Sequence, residues 1–170
     1  MRRLHTLALA LLTVVAAGCA GYKLGPTNGD HAGDQSVQIV PFQNQTLEPH
    51  LTDAVTTELR DRLQRDATYK LSTHGDADIV VSGVLTSYGR SAMSFQPGDT
   101  FTARDYKLAL TAQVTARHRS TGAVIFEKPI KGYTTMRTGA DLVSDERQAL
   151  PLLAADLAKN IISQLADGSW

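Results

Sequence analysis

Residues 106–117, YKLALTAQVTAR, decide the fold. Tyr106, Leu108, Leu110, Ala112, Val114 and Ala116 alternate with Lys107, Ala109, Thr111, Gln113, Thr115 and Arg117. A period of two held over that length is a half-buried antiparallel strand with one apolar and one polar face. Upstream, residues 78–88 (DIVVSGVLTSY) are rich in β-branched side chains and predict a second strand, in which Gly83 marks a bulge or a close approach. Gln96-Pro97-Gly98-Asp99 joins the two: Pro97 presets φ at the first central position of a turn, and Gly98 supplies φ > 0 at the second. Downstream, Ser120-Thr121-Gly122 turns the chain into a further strand over 123–137, which Pro129 assigns to an edge or a bulge.

Outward from this hairpin, two helices are predicted. Leu51, Val55, Leu59 and Leu63 recur every four residues, with Glu48-Pro49 as the opening and Pro49 in the first turn. Leu150, Leu153, Leu157, Ile161 and Leu165 form a second stripe. Asp145 and Gln148 resemble a capping box at its start, and Pro151 is expected to kink its first turns. Residues 36–41 (SVQIVP) read as a first strand with Val37, Ile39 and Pro41 on one face, and 69–72 as a short strand. The order is β-α-β-β-β-β-α. Each helix has one apolar stripe, so the economical packing is an α+β fold. Two helices lie on one face of a mainly antiparallel sheet of four to five strands. The other face, with Lys107, Thr111, Gln113, Thr115 and Arg117, is left polar.

The first residues read differently. Arg2 and Arg3 precede an apolar run over 7–17 that is too short to span a bilayer but suits the core of a secretory signal. The run ends in Ala16-Ala17-Gly18-Cys19, which resembles the bacterial lipobox. That resemblance implies cleavage between Gly18 and Cys19 and lipid attachment to the Cys19 thiol. Several acyl chains hold a protein stably where one binds marginally. Ala20, where inner-membrane retention is associated with Asp, implies transport to the outer membrane. The expected organisation is a signal peptide over 1–18, a Gly/Asp/Asn-rich linker over 19–35 and one α+β domain over 36–170.

Cys19 is the single cysteine, which excludes an intrachain disulfide and a Cys-based metal site. The 170 residues carry 17 basic and 17 acidic side chains, and loss of Arg2 and Arg3 tips the balance slightly acidic. Nothing in that charge suggests nucleic acid as a partner. The motifs HExxH, GxSxG, GxxxxGK[ST] and GxGxxG do not occur, and His31, His50, His74 and His118 have no metal-ligand spacing. Asp76 with Asp78 fits a polar loop, and Asp141, Asp145 and Glu146 fit a helix N-terminus. No enzyme, and no cofactor beyond the lipid on Cys19, is expected.

Several segments together resemble the lipopolysaccharide-assembly lipoproteins, the LptE-like family. They are the lipobox with Gly21-Tyr22, IVPFQNQT, LTDAVTTELRDRL, ADIVVSGVLTSY, ARDYKLALTAQVTA and ERQALPLLAADLAKNIISQL. The resemblance implies an outer-membrane lipoprotein that plugs an LptD-like β-barrel and supports delivery of lipopolysaccharide to the cell surface. It also implies lipopolysaccharide contacts through basic residues near the sheet's loops. The Gln96–Asp99 turn has no positive charge, but Arg90 and Arg104 flank it. Arg90, Phe95, Gln96, Arg104 and Gln113 are therefore the candidate partner or lipid contacts. Met93, Phe95 and Phe101 form an apolar cluster at the hairpin end, readable as a small satellite core or as a docking tip. IVPFQNQT before a helix is also similar to the start of curli-secretion and penicillin-binding-protein-activator lipoproteins. That alternative implies a secretion-pore subunit or an activator of a cell-wall enzyme.

Overall fold

A computed structural model describes residues 33–139 and 141–166. The expected signal peptide, Gly18 and Cys19, most of the expected 19–35 linker and residues 167–170 lie outside the described residues. The elements are β1 (Ser36–Ile39), β2 (Gln43–Asn44), α1 (Leu51–Asp66), β3 (Lys70–Leu71), β4 (Ile79–Gln96), β5 (Asp99–His118), β6 (Val124–Arg137) and α2 (Leu142–Ala166). The sheet order is β3-β1-β4-β5-β6, with β2 continuing the line of β1 along β4. The α+β architecture expected from the sequence is present, with two helices against an open sheet.

The sheet is mainly antiparallel, as expected, but mixed at one side. β1 pairs in parallel with both β3 and β4, and β2 with β4. The cause is connectivity: α1 carries the chain across from β1 to β3, and a helical crossover returns a strand in the same direction. The long strands β4, β5 and β6 pair antiparallel, as the alternation required.

The buried set follows the sequence periods. Leu108, Leu110, Ala112, Val114 and Ala116 have no exposed surface, nor do Leu51, Val55, Leu59 and Leu63 of α1 or Leu153, Leu157, Ile161 and Leu165 of α2. The first strand departs from expectation. Val37 and Ile39 are buried, but Pro41 faces solvent and Phe42 turns inward. Pro41 cannot donate to a ladder, so the strand breaks there and resumes as β2 one face out of phase. Phe42 then fills the space over Gly83, where an added Cβ would lie 2.6 Å from its ring and 2.8 Å from the Gln113 carbonyl. Gly83 is thus the close approach expected, while the irregularities in β4 fall between Leu85 and Ser87 and, further out, between Ala92 and Gln96.

Both helices begin elsewhere than expected. α1 starts at Leu51 with His50 as N-cap, so Pro49 lies before the first turn. α2 starts at Leu142, and its cap is Asp141, which accepts from the Val143 amide at 3.1 Å and from the Ser144 hydroxyl. Asp145 reaches back instead and accepts from the Gly139 amide at 2.6 Å. Pro151 therefore sits well inside the helix, where it withholds the amide that would bond the Arg147 carbonyl.

The helices lie side by side with their N-termini at one end. His50 and Pro49 share a crevice there with Val143 and Leu150. At the other end the buried Tyr69 hydroxyl donates to the Leu165 carbonyl at 2.9 Å, one of the carbonyls a helix leaves unpaired. α2 also covers the outer edge of β6. Asp156 accepts the Tyr133 amide at 2.9 Å, and the Asn160 amide donates to the Lys131 carbonyl at 2.8 Å. Pro129, on the same strand opposite Gln113, has no donor to expose.

Candidate functional site

The two helices cover only the proximal part of the long hairpin. On β4 burial is complete at Leu85, partial at Tyr88, and gone from Gly89 to Met93; on β5 it is complete only from Leu108 onward. Residues 89–104 thus extend past the helical layer and end at the turn predicted from the sequence. Gln96 pairs with Asp99 across Pro97-Gly98, and Gly98 takes φ +82°.

The base of this projection is fixed by Glu146 near the start of α2. Its carboxylate accepts from the Tyr88 hydroxyl and is ion-paired with Arg90, whose guanidinium also lies 5.3 Å from the centroid of the Tyr106 ring. Burial, and then the hydrogen bond and charge of Glu146, push the Tyr88 phenol well above its ordinary pKa. It stays protonated and donating at any physiological pH.

A second knot lies further out. Asp105 accepts from the Ser94 hydroxyl, from Arg137 Nε at 2.9 Å and from Arg104 Nε at 3.1 Å. Those three partners, Ser94 foremost, hold its carboxyl far below the usual carboxylate range. The Thr138 hydroxyl lies 3.1 Å from the Ala103 carbonyl and 3.0 Å from that of Arg104, pinning the exit of β6 to the same place. Asp99 closes the tip by accepting from the Phe101 and Thr102 amides, and the Thr102 hydroxyl with those amides lowers its pKa.

Of the sequence-predicted contact residues, the structure brings Arg90, Phe95, Gln96 and Arg104 together on the projecting hairpin. It does not bring Gln113 with them. Gln113 lies half-buried between Val84 and Pro129 on the polar face, about 30 Å along β5 from Arg104 at the rise of an extended strand. Neither arginine is unpaired: Arg90 is bound to Glu146, while Arg104 shares Asp105 with Arg137, which leaves one net positive charge at that knot. What the tip offers is apolar surface: Met93, Phe95 and Phe101 are 57, 48 and 93% exposed. They form no satellite core, which removes one of the two readings of that cluster.

Glu146, Asp105 and Arg137 belong to this site and were not singled out as contacts from the sequence. The Asp105–Arg137 pairing depends on a register shift between Ala116 and Arg117, which no local pattern announces. The opposite face of the sheet carries Thr111, Gln113 and Thr115 half-buried between Lys107 and Arg117. Lys107 Nζ lies 4.1 Å above the Tyr133 ring on this face. Among the described residues no group of three or more His, Cys, Asp or Glu is placed to hold a metal ion, and no helix is long and apolar enough to cross a membrane. The arrangement is suited to contact: a largely polar face, and a projection with an apolar end.

The lipopolysaccharide-assembly family model, LptE, matches residues 35–165. No curated protein matches the sequence. Among solved structures, a hypothetical protein from Chlamydia trachomatis superposes with a TM-score of 0.56 at 11% identity, over 78% of this chain and 95% of that one. A candidate lipoprotein from Caulobacter crescentus superposes with a TM-score of 0.51 at 14% identity, over 74% of this chain and 88% of that one. At those identities the likeness is one of fold.

Proposed function

This chain belongs to the lipopolysaccharide-assembly (LptE) family, and from that premise we propose that it is an outer-membrane lipoprotein, anchored through Cys19, that plugs an LptD-type β-barrel in a one-to-one complex and supports lipopolysaccharide transport to the cell surface. The observation that carries the reading is the one-sided sheet. Two helices cover one face, and the other stays open with Thr111, Gln113 and Thr115 in a row between two cations. A row of hydroxyls and amides suits hydrogen bonding to the polar wall of a barrel lumen. The projecting hairpin gives such a plug a leading end, with Phe95 and Phe101 as the groups to be buried on docking. The family match favours this reading over a secretion-pore subunit or an activator of a cell-wall enzyme.

Site-specific photocrosslinkers test it in intact envelopes. Probes at Phe95 and Gln113 are expected to capture an outer-membrane barrel, and a probe at the buried Leu110 is not. Depletion of the protein is expected to admit large hydrophobic antibiotics. Crosslinks from Phe95 and Gln113 to another copy of this chain alone would refute the plug reading.

A further inference from the structure

We infer that the free edge of β4 over residues 87–92 is a strand-addition site, which takes an extended segment of the barrel partner as an extra strand. The inference rests on the barrel reading above and names the mode of contact. An unpaired strand edge invites association, and folded proteins cover, shorten or charge their edges. This protein does so elsewhere. β6 is covered by Asp156 and Asn160 and carries Pro129, and β3 at the other end of the sheet spans only Lys70–Leu71. Along β4 the covering chain stops early. The Val40 amide bonds the Val81 carbonyl, the Gln45 amide bonds the Leu85 carbonyl at 3.0 Å, and among the described residues no backbone bond reaches that edge beyond Leu85. β4 nevertheless runs on to Gln96, paired with β5 alone.

The exposed groups can be named. Val81 and Leu85 face the core, and their carbonyls point toward β1 and β2. In a strand of fixed direction, the face taken by the side chain fixes the side taken by the amide and carbonyl. After the bulge at Thr86 the core face passes to Tyr88, Arg90 and Ala92, which stand opposite Leu110, Leu108 and Tyr106. Their amides and carbonyls therefore point to the open edge, while those of Ser87, Gly89 and Ser91 are turned to β5.

The chemistry of that edge selects its occupant. A row of alternating amides and carbonyls is satisfied in kind by extended backbone. Ser87, Gly89 and Ser91 are small, so a neighbouring strand can approach, and no proline interrupts the stretch. Its one charge is Arg90, ion-paired with Glu146 but with 36% of its side chain still exposed. A second copy of this edge is disfavoured. Antiparallel self-pairing at full overlap sets Arg90 opposite Arg90, and like charges directly opposite destabilise a ladder. The strands of a closed barrel have no edge to offer, so the added strand comes from one of its loops or from a segment outside the barrel wall. The same strand carries the exposed Met93 and Phe95 just beyond, past a further irregularity between Ala92 and Ser94.

Amide hydrogen exchange on the purified protein, alone and in its co-purified barrel complex, tests the inference. In the free protein Tyr88, Arg90 and Ala92 are expected to exchange fast, and Gly89 and Ser91 slowly. In the complex the first three slow by about a hundredfold. Ala92→Pro, which removes an edge-facing amide and no bond to β5, is expected to weaken the complex about tenfold. A barrel complex that forms with exchange at those three amides unchanged overturns strand addition and leaves the plug reading standing. Protection that appears in the isolated protein as its concentration rises would assign the edge to a second copy and overturn the inference too. Absence of any barrel complex would overturn both.

Discussion

Gly132 on β6 and Leu157 on α2 approach so closely that a Cβ on the glycine would lie 2.7 Å from the leucine's backbone nitrogen. The obstructing atoms are helix backbone, which cannot swing aside as a side-chain end can. Gly132→Ala must push α2 off the sheet, and overpacking of that kind costs about 1–3 kcal/mol. Gly89→Ala, with nothing within 4 Å of its added Cβ, is the matched control and should be near neutral in urea titration of the soluble domain.

The two faces of β5 should respond oppositely to truncation. Leu110 has no exposed surface and lies under the helical layer, so Leu110→Ala should cost about 2–5 kcal/mol of stability. Its neighbour Thr111 faces the other way and is half-buried. Its carbonyl, not its hydroxyl, accepts from the Thr86 hydroxyl at 3.2 Å. Thr111→Ala should change stability by less than about 0.5 kcal/mol. Equal losses in the two variants would place the helices on the wrong face.

The alternation at 106–117 and the leucine stripes of both helices were legible because burial on one side imposes a period that survives in sequence. The hairpin turn was legible for a local reason too, since Pro97-Gly98 encodes its own dihedral angles. What escaped depends on partners distant in the chain. Pro41 looked like the third member of an alternating set, but the missing amide that broke the strand also let Phe42 turn in over Gly83. The parallel pairing of β1 followed from where α1 delivers the chain, and no property of residues 36–39 distinguishes a parallel from an antiparallel neighbour. At α2 the capping box expected at Asp145 gave way to a cap at Asp141. The choice was set by Gly139, which engages Asp145 from outside the helix. The candidate arginines were found by their place beside a turn, but their carboxylate partners lie 56 residues away for Arg90 and on the adjoining residue for Arg104.

Acid should loosen the hairpin's outer knot. Asp105 is held below its ordinary pKa by Ser94, Arg137 and Arg104, and Asp78 is lowered by its bonds from the Ser36 hydroxyl and amide. A depressed folded-state pKa gives stability that is fully present above the unfolded carboxylate value and is lost as pH falls through the folded one. The loss therefore lies below about pH 4. Asp105→Asn should flatten the fall of stability with pH in that window, and added salt should flatten it further, because the site is open to solvent. An unchanged acid profile in the variant would mean that Asp105 has no net preference for its folded partners.

Membrane attachment is expected to depend on one atom. If the Cys19 thiol carries the lipid, Cys19→Ala should leave the protein unprocessed or release it from the membrane after a salt wash, with no change in the folded domain. Retention of the washed variant in the outer-membrane fraction would show that something other than lipidation holds it there.

The exposed tip separates a folding role from a docking role most directly. Phe101 is 93% exposed and Phe95 48%, so neither contributes much buried area in the free protein. Phe95→Ser with Phe101→Ser should leave the urea midpoint of the isolated domain unchanged within about 0.5 kcal/mol. In a complex the same rings would leave water, and a fully buried aromatic ring contributes about 1.5–3 kcal/mol. The double variant should therefore weaken the barrel complex by at least about tenfold, while Gln96→Ala beside them, with no apolar ring to lose, changes it little. A domain destabilised by the two serines would return the cluster to a structural role, and a stable domain with undiminished barrel affinity would exclude the tip from the interface.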